Sequence, residues 1–322
     1  MGDGTSENPY TREDVLRLIE ENGGKAKGLD LSGKHFEEGI DLSKLDLAGI
    51  ALNNAILFHS SYRGEKIRYA NLEGANLMCA NLQGAILSGA HLERAKLWNA
   101  NLEGADLRGA HLESAVLIEA NLEEAELGSA HLEETDLRGA RLDGAYWQNV
   151  EFTSDTKLDD VYWGSYVLGQ ESFGDIFLLS TYRRLRSWYA EHGMNDIAAK
   201  FYYREMEAKR KAMKWWPNPL PKIQQTLYWL FYGYGEVPWR VFSSAVVVVF
   251  GLAAIYFAIG TLTPNTFLNS LYYSAVSFTA LGYGSWAPQP TGWVKGLGAL
   301  EAFIGVFMIA LFLITFVRKM TR

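Results

Sequence analysis

The chain has 322 residues, 37 acidic and 30 basic side chains, a net charge of −7 and one cysteine, Cys79. A lone cysteine excludes an intrachain disulfide framework and agrees with a reduced compartment. The charge is unevenly spread: residues 261–292 carry none, whereas 183–214 hold nine Lys or Arg against four Asp or Glu, a net of +5.

No signal peptide is expected, because residues 1–22 are polar and acidic. Residues 11–22 read as a short helix. Thr11 and Asp14 have capping-box spacing, Val15, Leu16, Leu18 and Ile19 form the apolar stripe, and Gly23-Gly24 ends it.

From Leu72 to Leu142 a Leu recurs every fifth residue, at fifteen positions. Ala lies two residues before each of them except at Thr135. Period five matches neither the 3.6 of a helix nor the 2 of a strand. It suits a coil with four sides of five residues, Leu and Ala pointing inward and successive coils stacking about 4.8 Å apart. The runs Ala70-Asn71-Leu72-Glu73-Gly74 and Ala100-Asn101-Leu102-Glu103-Gly104 resemble pentapeptide repeats. That resemblance implies a right-handed quadrilateral β-helix over about residues 29–152. A frame shift between Phe36 and Leu42 implies one inserted residue. Open ends of such a ladder need covers. The 11–22 helix is expected at one end and the aromatic segment 146–163 at the other.

Four sides of five residues place positions 20 apart in one column. His91, His111 and His131 share a column, flanked by Glu73, Glu93, Glu113 and Glu133. This face reads either as solvated surface or as a sensor. Stacked imidazoles repel when charged while carboxylates favour charging, so the sensor reading is a column titrating near neutral pH or holding Zn²⁺ or Ni²⁺. Glu103, Glu123 and Asp143 form an acidic column on the opposite face. Met78, Trp98 and Ile118 form an outward apolar column, read as a docking face for a neighbouring subunit or the helical linker.

Residues 173–192 and 196–214 are helical in pattern, separated by Gly193-Met194-Asn195. Aromatics at 201–203 sit among Lys200, Lys209, Arg210, Lys211 and Lys214. The pair reads as a solvated hairpin or as an interfacial helix drawn to anionic headgroups. Residues 224–232, rich in Leu, Tyr and Trp, look like an interfacial cuff able to transmit movement to the spans that follow.

Two apolar runs, 241–260 and about 293–317, each approach the roughly 20 residues needed to cross a bilayer. With no leader expected, the first of them must direct insertion. Between them lies Ser277-Phe-Thr-Ala-Leu-Gly-Tyr-Gly-Ser285. Non-helical backbone at membrane depth is tolerated only inside protein or along a watery cavity. The order of helix, re-entrant segment ending in Leu281-Gly282-Tyr283-Gly284, and helix resembles the pore domain of two-span potassium channels. The resemblance implies four copies around an axis and a selectivity filter formed by Thr279, Ala280, Leu281, Gly282, Tyr283 and Gly284. Ala280 stands where that family has Thr, and Ser285 where Asp is common, so the permeant ion is expected to be K⁺, or K⁺ and Na⁺ together. Ser285 and Glu301 are read as filter support. A membrane-embedded carboxylate is costly unless paired or facing water, and Glu301 is expected to accept hydrogen bonds from the pore helix. Gly298 and Gly305, seven apart on the second span, read as a gating hinge or as close-packing sites.

The expected division is 1–28 cap, 29–165 β-helix, 166–236 helical connector and 237–322 all-α pore domain. The basic connector before the first span, and Arg318, Lys319 and Arg322 after the second, place both termini in the cytoplasm of a prokaryotic inner membrane. The expected partners are three further copies of the chain and membrane lipids, with no nucleic acid and no cofactor besides the permeant ions. No Ser/His/Asp cluster or phosphate loop suggests an enzyme. Two rivals remain. Residues 70–150 hold 13 acidic and five basic side chains, and acidic pentapeptide solenoids can mimic DNA. A non-conducting membrane scaffold is the other.

Overall fold

A computed structural model describes residues 2–57, 69–164, 175–216, 218–260, 262–281, 290 and 292–320, with only the backbone described at 175–178 and 318. The chain forms two compact units, Met1–Thr181 and Tyr182–Arg322.

In the first unit, helix α1 spans Arg12–Glu21. The Thr11 hydroxyl accepts from the Asp14 N–H, and the Asp14 carboxylate accepts from the Thr11 N–H at 3.2 Å and the Gly2 N–H at 2.9 Å. Those backbone donors, Gly2 first and then Thr11, hold the Asp14 carboxyl below its ordinary value. The helix closes the first coil: Val15 is buried, and Arg12 donates to the carbonyls of Asp41 and Ser43.

Behind it the chain winds in coils joined by single-residue parallel bridges. Asn71 pairs with His91, Asn76 with Lys96, Asn81 with Asn101 and Ile86 with Asp106, each 20 residues on. Among the described residues of this unit no bridge extends into a longer strand. Each five-residue side gives two residues to a turn, as where the Ala75 N–H reaches the Leu72 carbonyl, leaving too short a run to pair more than once. Every Leu from 72 to 142 is essentially solvent-free. The one departure from Ala, Thr135, is also fully buried, and its hydroxyl donates to the Leu112 carbonyl at 2.7 Å. The register carries one extra residue between Asp30 and Ala51, and another between Asp136 and Lys157. From Asp41 to Asn71 the step is 30, so ten further residues enter over a segment whose 58–68 portion lies outside the described residues. At the far end Trp147 is fully buried and meets Trp163 edge-on at 5.2 Å.

Helix α2 (Asp175–Glu191) leads into the second unit. There α3 (Asn195–Ala212) packs on it through Tyr189 and Phe201, stacked at 5.6 Å. Glu205, 3% exposed, faces Arg183 at 3.1 Å and Arg186 at 2.8 Å. Helix α4 (Leu220–Tyr232) begins with Pro in its first turn and ends at left-handed Gly233. Helices α5 (Pro238–Ile259) and α7 (Val294–Met320) are long and apolar enough to cross a membrane. Their outward faces, including Trp239, Val247, Phe250, Leu300, Phe303 and Phe307, are exposed, as lipid- or subunit-facing surfaces should be. Between them lies α6 (Phe267–Thr279), packed against both.

Candidate functional site: the pore helix and its buttress

Helix α6 has 13 residues and no charge. At 1.5 Å per residue it is about 20 Å long, too short to span the bilayer. The Thr266 hydroxyl accepts from the Asn269 N–H, and Asn269 Nδ2 donates to the Pro264 carbonyl at 2.9 Å, fixing the entry. One face is buried: Ser270, Tyr273, Ser274, Ser277 and Phe278, at helical spacing. Of the serines on this face, Ser277 donates to the Tyr273 carbonyl at 2.8 Å, whereas the Ser270 hydroxyl has no hydrogen-bond partner among the described residues.

Thr279 ends the helix, its hydroxyl donating to the Ala275 carbonyl at 2.8 Å. Ala280 then takes φ +54° and returns its N–H to the Ser277 carbonyl, breaking the helical path. Leu281 follows, 81% exposed. The negative end of the α6 dipole therefore lies just before Leu281, where it favours a cation. Gly282, Tyr283, Gly284 and Ser285 lie outside the described residues.

Behind this turn sits Glu301 of α7, 1% exposed. Its Oε2 accepts from the Tyr256 hydroxyl of α5 at 2.8 Å, and its Oε1 lies against the Ser274 hydroxyl of α6. That hydroxyl is also 2.9 Å from the Val249 carbonyl, so its one proton serves either oxygen. The Tyr256 and Tyr273 rings meet edge-on at 5.0 Å, within a buried cluster completed by Leu262 and Val294. One carboxylate thus ties all three helices together.

One turn further on, Gly305 faces the end of α6. A Cβ there would come within 1.7 Å of the Phe278 carbonyl oxygen, so any side chain would push the helices apart. Helix α7 is continuous through the buried Gly298 and through Gly305.

In the connector, the guanidinium carbons of Arg210 and Arg240 lie over the Trp229 ring, at 4.5 and 5.0 Å from its centre, and Trp229 donates to Tyr203 at 3.1 Å. This joins α3, α4 and α5. It escaped the sequence reading because the four residues are scattered, as did Tyr256 and Ser274. The signal available for the latter was the 270/274/277 serine spacing on an otherwise apolar helix.

In the first unit the columns fall in register. His91, His111 and His131 stack at 5.0 and 4.7 Å, with His91 2.9 Å from Glu93 and His111 3.1 Å from Glu113. Glu73 pairs with Arg94 at 3.5 Å. In the acidic column Glu123 meets Arg141 at 2.7 Å. Trp98 is 44% exposed between half-buried Met78 and Ile118.

Comparison with known proteins agrees with both halves. A family described as pentapeptide repeats matches in eight copies, over residues 66–94, 85–123 and 95–133. A family described as ion channel matches residues 233–322. Among solved structures, a pentapeptide repeat protein from the cyanobacterium Cyanothece is 26% identical, over 48% of this chain and 97% of its own, with a TM-score of 0.23. Another, from Nostoc, is 29% identical over 43% and 95%, with a TM-score of 0.17. A third, from the thylakoid lumen of Arabidopsis thaliana, is 28% identical over 40% and 72%, with a TM-score of 0.18. No curated protein matches the chain. The protein joins a pentapeptide-repeat β-helix to a membrane-embedded ion-channel domain with two spans.

Proposed function

We propose that four copies of this chain assemble around their α6 helices as a monovalent cation channel of the potassium type. The observation that carries this reading is the uncharged half-helix α6. It ends in the left-handed Ala280, immediately before Leu281-Gly282-Tyr283-Gly284, and is anchored from behind by Glu301. In the assembly, carbonyls from Thr279 to Tyr283 replace the water of a passing ion, and Ser285 and Glu301 support them. Gly305 acts as the contact point between inner helix and pore helix, supported by its approach to the Phe278 carbonyl.

The charge pattern supports a cytoplasmic β-helix and C-terminus, in a prokaryotic inner membrane. The β-helix serves assembly or sensing, docking through the Met78–Trp98–Ile118 face. The Arg210–Trp229–Arg240 stack gives the α3–α4 segment a firm grip on α5.

Recording the purified protein in a planar bilayer under a potassium/sodium gradient tests this. A reversal potential near the potassium value is expected for a selective filter, and one near zero for a mixed cation pore. Silence from correctly assembled protein overturns conduction and leaves a membrane scaffold.

A further inference from the structure

Among the described residues, the sets of three ligating side chains close enough to hold one metal ion lie on one face of the β-helix. His91, His111 and His131 occupy the same position in three successive coils and are bridged backbone to backbone, so coil spacing sets their separation. Their planes lie within 11° and 2° of parallel. Each imidazole presents Nδ1 to a carboxylate: His111 to Glu113 at 3.1 Å, and His131 to Glu133 at 4.0 Å and Glu151 at 3.5 Å.

Three features point to a cation here. The second oxygens of Glu93, Glu113 and Glu133 are shut off from solvent with no hydrogen-bond partner, an expensive state for a carboxylate. Arg94 is the one Lys or Arg in residues 70–74, 90–94, 110–114 and 130–134, and it is engaged with Glu73. Finally, His111, Glu113 and His131 offer one ligand atom each, all within 4.8 Å of one another, and His131, Glu133 and Glu151 form a second such set.

Neighbouring ligand atoms around a tetrahedral zinc ion lie about 3.4 Å apart, given bonds of about 2.1 Å. The His111–Glu113 edge, at 3.1 Å, is about 0.3 Å short of that length. The His131 nitrogen lies within 4.8 Å of the other two ligand atoms and closes the remaining gap by turning its side chain out of the stack.

We propose that His111, Glu113 and His131 bind a divalent transition-metal ion of the zinc class. The metal takes the place of the proton shared between imidazole and carboxylate and ties two adjacent coils together. His131, common to both ligand sets, is the residue on which binding depends most.

Full-length protein in detergent, stripped with EDTA, is titrated with Zn²⁺ against a chromophoric chelator, and with Co²⁺ to read its visible spectrum. Wild type is expected to bind saturably with a tetrahedral-type cobalt spectrum and to melt at higher temperature with Zn²⁺. His131→Gln and Glu113→Gln are each expected to weaken binding at least tenfold. His192→Gln, in the second unit, should leave it unchanged. Metal-free melting checks that the variants fold, and the isosteric Glu113→Gln decides the matter if His131→Gln does not. Absence of saturable binding in wild type, or undiminished binding in the variants, overturns the proposal. A silent bilayer recording would not touch it.

Discussion

A polar group inside a membrane protein is tolerable when its partners are fixed, and two residues of α7 show how closely that is arranged. Glu301 accepts from Tyr256 through one oxygen, and the other lies against the Ser274 hydroxyl, whose proton it shares with the Val249 carbonyl. Gly305 has no side chain because the Phe278 carbonyl occupies the space. Gly296, on the same helix, would meet nothing within 4 Å if given a Cβ. The two glycines therefore predict opposite outcomes. Gly305→Ala should lower the melting temperature of the detergent-solubilised protein, at a cost of about 1–3 kcal/mol for overpacking. Gly296→Ala should be neutral, or stabilise by up to about 1 kcal/mol through helix propensity. If Gly305→Ala melts like Gly296→Ala, the close contact with α6 does not exist. The sequence alone made Glu301 conspicuous, since a charge in an apolar run has to be explained. It left Gly305 open between hinge and contact, because spacing along one helix says nothing about what another helix places opposite.

At the scale of the element, the β-helix was far more legible than the helices around it. A Leu every fifth residue defines the inward face of each side, and the whole coil follows from that single repeat. The breaks in register were less legible, since only the first disturbs the Leu spacing within a short window. The connector contacts were least so, because Arg210, Trp229 and Arg240 meet only after α3, α4 and α5 have turned back on each other. The last coils also carry an electrostatic dependence. Burial pushes the Asp136 carboxyl upward, but donors outweigh it: Arg138 at 2.8 and 2.7 Å and Lys157 at 3.3 Å. The net effect holds Asp136 below the ordinary carboxylate value. A depressed carboxyl contributes stability that is present above its unfolded value of about 3.9 and lost as pH falls through the folded one. Asp106, held down by Arg108 against its own burial, has the same sign. Thermal melts between pH 6 and about pH 3 should therefore show a falling melting temperature at the acid end. Asp136→Asn should start lower at pH 6 and fall less. An unchanged acid slope in that variant would mean the Arg138 and Lys157 contacts do not stabilise the folded coil.

For the whole molecule, the question is which unit holds copies together. Large exposed apolar side chains are sparse on the β-helix, where Trp98 and Tyr162 are the most exposed of the described residues, whereas α5 and α7 display them along their full length. Lipid could cover much of that span surface, but apolar contact with lipid gives no reason for α6 to end in a capped turn at Ala280. A re-entrant turn at membrane depth needs protein or a watery cavity around it. One chain supplies one α6, so in the proposed fourfold assembly the turns are covered by those of other copies. Assembly should then reside in residues 182–322, with the β-helix adding contacts through its Trp98 face. Light scattering of the full chain in detergent should give a protein mass four times the 36.1 kDa of one chain. A chain lacking residues 1–181 should also elute as four copies, with lower thermal stability if the β-helix faces dock. A truncated chain that falls to single copies would transfer assembly to the β-helix. It would also mean that α6 turns do not gather around an axis by themselves, so the fourfold pore would depend on the repeats to bring it together.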